Sequence, residues 1–101
     1  PIGAAVTVES AVPLSINISV SLTLASGVTS ETAEQKISDS VSSYLKKNAF
    51  SGTYISYAQI GGCILAVDEI LDYSNLKVNG GTVNVPIPEN AVPVLGVVTI
   101  A

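Results

Sequence analysis

From Leu14 to Leu24 the chain alternates without a break, with Leu14, Ile16, Ile18, Val20, Leu22 and Leu24 separated by Ser15, Asn17, Ser19, Ser21 and Thr23. Successive side chains of an extended chain point to opposite faces, so this pattern predicts a half-buried strand. The polar face carries no charge, and only the buried face pins the register. Upstream, residues 4–12 (AAVTVESAV) predict a short strand, with Pro13 as an interruption between the two.

The period then changes. After Ala25-Ser26-Gly27, Thr29-Ser30 followed by Glu31 and Glu34 has the form of a capped, acid-rich first turn. Ala33, Ile37, Val41 and Tyr44/Leu45 recur at helical spacing, and Lys46 and Lys47 fall in the last turn. This predicts an amphipathic helix covering one face of a sheet. Beyond Phe50-Ser51-Gly52, Thr53-Tyr54-Ile55 reads as a brief strand. Ser56 with Gln59 forms a capping box, opening a second helix whose apolar stripe is Tyr57, Ile60, Ile64, Val67 and Leu71. Gly61-Gly62 weakens that helix by about 1 kcal/mol per Gly relative to Ala, and close approach to the sheet or to the first helix is the expected return.

The last third returns to strands. Leu76-Lys77-Val78, Asn79-Gly80 and Thr82-Val83-Asn84-Val85 predict a hairpin, because Asn-Gly supplies the two positive φ angles of a type I′ turn. Pro86 and Pro88 end that strand or place it at an edge, and Val94–Ile100 closes the chain as a strand. The expected fold class is α+β: two amphipathic helices packed on a mainly antiparallel sheet, in the order β-β-α-(β)-α-β-β-β.

Composition narrows the class. With 101 residues the chain builds one core, so residues 1–101 are expected to form a single domain. At 48% hydrophobic and 12% charged residues it is not a disordered, solvating chain. Its polar positions are mostly Ser, Thr, Asn and Gly, a surface suited to contact with other subunits. The net charge of −4, with four Lys and no Arg, argues against nucleic acid as a partner. No apolar run reaches the length of a membrane span. The start on Pro1 leads us to expect an excised piece of a longer chain.

Candidate chemistry is sparse. The absence of His removes the commonest general base, the commonest zinc ligand and every Ser-His or Cys-His pair. Cys63 beside the second apolar stripe reads as a small buried hydrophobe rather than an activated thiolate. Asp68, Glu69 and Asp72 form the densest acidic group, with Asp68 and Asp72 expected on one helix face at i, i+4. As a carboxylate pair they are candidates for a divalent ion, and as helix-end acids they are simply solvated. Tyr54, Tyr57 and Tyr73 are candidates for core rims or for lining a pocket. No catalytic, cofactor-binding or metal-ligating residue is assigned, and no cofactor is expected.

Four features resemble the C-terminal domain of baseplate J-like proteins, from contractile phage tails and related particles. They are PIGAAVTVESA leading into LSINISVSLTLASG; the helix ETAEQKISDSVSSYLKKNAFSG; TYISYAQIGGCILAVDEILDYSNLKVNGG; and NVPIPENAVPVLGVVTIA. The resemblance implies a C-terminal fragment without an active site, serving in a baseplate wedge with other wedge and hub subunits as its partners, in a larger homo- and hetero-oligomeric ring. It implies location in the virion tail, assembled in the host cytoplasm, from a phage or prophage. Two competing readings remain at this point: a small ligand-binding or regulatory α/β sandwich with a pocket lined by Tyr54, Tyr57 and Tyr73, and a metal-assisted hydrolase using Asp68, Asp72 and Glu69.

Overall fold

The computed structural model describes residues 12–48 and 53–100. The alternating segment forms β1 (Val12–Leu24), the central strand of a three-stranded sheet in the order β3-β1-β5, with β3 spanning Ile70–Val78 and β5 Ala91–Ile100. β1 pairs antiparallel with β3 and parallel with β5. A second, two-stranded antiparallel sheet joins β2 (Tyr54–Ile55) to β4 (Val85–Pro86). The strand expected over residues 4–12 lies outside the described residues except for Val12, as does the Phe50-Ser51-Gly52 break.

Pro13 does not interrupt β1. Ladder pairing with β3 begins only at Ile18, so among the described residues Val12–Ile16 has β5 as its one ladder neighbour. A residue without an N–H is tolerated at such a one-sided position.

Helix α1 (Ser30–Asn48) starts where the cap pattern places it: the Thr32 N–H donates to Thr29 Oγ1 at 3.2 Å. Its stripe Ala33, Ile37, Val41 and Leu45 is at most 2% exposed, in one core cluster with Ile16, Ile18 and Val20 of β1, which are equally hidden. Full burial of each such Val, Leu or Ile contributes roughly 1.5–3 kcal/mol. α1 also packs against β5 and α2, and α2 against β3.

Helix α2 (Tyr57–Leu65) is shorter than its apolar stripe suggests. The Gln59 N–H donates to Ser56 Oγ at 3.2 Å, as in a capping box, but the Ser56 N–H is satisfied by the Tyr44 hydroxyl at 3.0 Å, which ties α1 to the start of α2. Val67 is buried beyond the helix end, whereas Leu71 lies on β3 and is 63% exposed. Gly61 bears out the expected close approach: a methyl there would overlap the Tyr73 hydroxyl on β3, while Gly62 faces open space.

The expected hairpin is half present. Asn79 and Gly80 both have positive φ, 51° and 79°, and Val78 and Gly81 exchange both backbone hydrogen bonds. The pairing stops at that bridge, because Val85–Pro86 instead joins β2. The closing strand begins at Ala91, earlier than expected, and includes the buried Pro93.

Candidate functional site

With both helices on one face of the main sheet, the other face stays open. The register of the three strands sets its side chains in rows. Ser19 of β1 stands between Lys77 of β3 and Thr99 of β5; Ser21 stands beside Ser74, and Ser15 beside Val94. Asn17, Ser19, Ser21, Asn75, Lys77, Val97 and Thr99 are among the residues lining a shallow concavity of about 480 Å³.

Irregular pairing shapes this face. Ser19 and Ser21 pair with Lys77 and Ser74, so β3 carries an extra residue between them, and Asn75 there adopts φ 52°. A bulge of this kind re-aims side chains and increases twist. Ile16 and Ile18 pair with Leu95 and Val98, so β5 carries a bulge at Gly96-Val97. Asn17 ties the irregular pieces together: its Oδ1 accepts from the Val97 N–H at 2.9 Å, its own N–H donates to Asn79 Oδ1 at 2.8 Å, and its carbonyl accepts from the Asn79 N–H at 2.8 Å.

The acidic group does not assemble. The helix face expected to hold Asp68 and Asp72 does not exist, because α2 ends at Leu65: Asp68 follows it in an exposed turn, and Asp72 lies on β3 opposite Thr23, accepting from the Tyr73 N–H at 2.8 Å. Glu69 forms an ion pair with Lys36 of α1. That contact, chiefly its hydrogen bond, holds the Glu69 carboxyl below its ordinary range and raises the Lys36 ammonium. Among the described residues no three His, Cys, Asp or Glu side chains converge as metal ligands would.

Cys63 is half-buried on α2, its carbonyl accepting from Ser40 Oγ at 2.9 Å, beside a shallow groove that also meets Tyr44 and Gln59. Burial pushes its thiol up, against a smaller opposing effect of Ser40 and Lys47, which is the reverse of what an activated nucleophile needs. Tyr57 donates to the Leu76 carbonyl at 2.6 Å, Tyr73 packs on Gly61, and Tyr54 is 49% exposed on β2.

The open face was not singled out by sequence reasoning. Its signals were there: an uncharged Ser/Asn/Thr row, Gly96 inside a strand pattern, and Asn at the positive-φ positions 75, 79 and 90.

Residues 16–101 match the family described as baseplate J-like protein C-terminal domain. Over 100 residues, 99% of the chain, the sequence is 34% identical to phage-like element PBSX protein XkdT of Bacillus subtilis (strain 168). It is 34% identical over the same share to uncharacterized protein YqbT of that organism. Each match spans 29% of the relative, so the chain covers less than a third of their length.

Proposed function

The chain belongs to the baseplate J-like protein C-terminal domain family, and from that membership we propose that it is a structural, non-catalytic part of a contractile phage tail or tail-like particle, making protein–protein contacts in the baseplate wedge. In this reading it is one domain of a longer chain, assembled in the host cytoplasm into the baseplate ring with other wedge and hub subunits.

The observation that carries the reading is the family match over residues 16–101. The chemistry of the surface supports it. Charged residues are depleted from the cores of protein interfaces, and the concavity on the open face, lined by hydroxyls, amides and apolar groups with Lys77 as its one charge, has that character. The raised Cys63 thiol and the dispersed acids offer no competing active site among the described residues.

Mass spectrometry of gradient-purified tail particles from a host carrying the gene tests it. Peptides of this domain are expected in the particle fraction, in fixed proportion to sheath and tube proteins. Their confinement to the soluble fraction would overturn the reading.

A further inference from the structure

We propose that Asn79-Gly80 is a site of self-modification, at which the Gly80 amide nitrogen displaces ammonia from the Asn79 side chain and water opens the resulting ring to aspartate or isoaspartate. The proposal goes beyond the baseplate reading and does not depend on it.

Three features of the turn meet at the reacting atoms. The nucleophile is the Gly80 backbone nitrogen; both residues are exposed, and among the described residues no acceptor engages that N–H. The electrophile is Asn79 Cγ, whose Oδ1 accepts from the Asn17 N–H at 2.8 Å, while among the described residues nothing holds Nδ2, the leaving group. A backbone N–H fixed on the oxygen where negative charge develops stabilises the tetrahedral intermediate, as in an oxyanion hole. Gly80 also brings no side chain into the path of attack, and no atom lies within 4 Å of where its Cβ would stand.

The other asparagines of the domain lack this combination. Ile18 follows Asn17 and Val85 follows Asn84, and their branched side chains crowd the nitrogen that would attack. The Ala91 N–H after Asn90 is engaged by the Pro88 carbonyl at 3.0 Å, and Leu76 after Asn75 is buried. At Asn48 the leaving nitrogen is itself held, donating to the Tyr44 carbonyl at 3.0 Å.

The reaction balances without an oxidant or a reductant. Hydroxide takes the Gly80 amide proton and the nitrogen bonds to Asn79 Cγ; the Cγ–Nδ2 bond breaks, and Nδ2 takes a proton from water and leaves as ammonia. Water then adds to one of the two ring carbonyls and breaks its bond to the Gly80 nitrogen. Opening at Cγ gives aspartate, which leaves the main chain unchanged and keeps an oxygen for the Asn17 N–H. Opening at the main-chain carbonyl gives isoaspartate, which routes the chain through Cβ and Cγ, lengthens it by a methylene and undoes the Val78–Gly81 exchange that closes the turn.

The experiment incubates the purified full-length chain at mildly alkaline pH, folded and in urea, and follows each asparagine by peptide mass mapping, with isoaspartate distinguished by fragmentation. In the folded chain Asn79 is expected to convert at least about tenfold faster than Asn17, Asn48, Asn75, Asn84 and Asn90, and within about tenfold of its own rate in urea. A smaller margin over the other five would overturn the proposal. So would a folded rate more than about tenfold below the rate in urea, because the Asn17 contact would then clamp the side chain rather than activate it.

Discussion

The carboxamide oxygen of Asn17 accepts the backbone N–H of Val97 at 2.9 Å, although the two residues lie 80 positions apart. This bond closes the bulge in β5 against the central strand, and it fills the space that a side chain at position 96 would need. A strand pattern that seemed uniform therefore has one position, Asn17, at which a Ser would not reach.

Replacing Asn17 by Ala leaves the Val97 N–H without its acceptor and is expected to lower stability by about 1–2 kcal/mol. Asn17→Asp keeps an acceptor and is expected to lose less. Urea unfolding midpoints decide it, and equal midpoints for Asn17→Ala and the parent sequence would show that the bond contributes nothing.

Ile18 and Ser19 are neighbours on opposite faces of β1, the first 1% exposed and the second exposed beside Lys77. Ile18→Asp buries an unpaired charge and is expected to cost at least about 4 kcal/mol, enough to unfold many domains of this size. Ser19→Asp gains an oppositely charged neighbour and is expected to leave the circular dichroism spectrum and melting temperature nearly unchanged. Similar behaviour of the two variants would mean that the register is wrong.

The adjacent glycines of α2 should respond in opposite directions. Gly62 faces open space, so Gly62→Ala is expected to stabilise by about 1 kcal/mol through helix propensity. Gly61→Ala forces the Tyr73 ring to move and is expected to lose roughly 1–3 kcal/mol. Denaturant midpoints of the two variants, measured side by side, check the packing of α2 on β3.

The Lys36–Glu69 pair gives stability a defined dependence on pH. Glu69 has a folded-state value below its ordinary 4.5, so its contribution is present above that value and is lost as pH falls through the folded one. Lys36 is raised, so its share is lost only as pH climbs past its ordinary 10.5. Both groups are solvent-accessible, so the effect is small. Glu69→Gln is expected to lower the melting temperature slightly at neutral pH and to match the parent in strong acid. A gap that persists in acid would assign the effect to something other than this ion pair.

Local patterns were legible and long-range pairings were not. The alternation of β1, the Thr29 and Ser56 caps and the Asn79-Gly80 turn depend on residues a few positions apart, and each stands where the sequence places it. The pattern predicts too long a second helix because Leu71 continues the stripe of Ile60, Ile64 and Val67 at helical spacing, although it sits on β3 as the extra residue of a bulge. With that helix went the shared face of Asp68 and Asp72. The Asn-Gly turn predicts that the strand after it pairs with β3, yet Val85–Pro86 pairs with β2, a choice made by contacts some thirty residues apart. The parallel alignment of β1 with β5 likewise leaves no local trace. The open face escaped notice because its rows exist only once three strands are in register.

The most direct measurement of the central claim, that this domain is a structural part of a tail baseplate, is removal of residues 12–100 from the parent gene followed by electron microscopy and titration of the resulting particles. The account predicts that complete tails fail to form or carry defective baseplates, and that supplying the intact parent chain restores them. Complete tails at the undiminished titre from the deleted gene would contradict it.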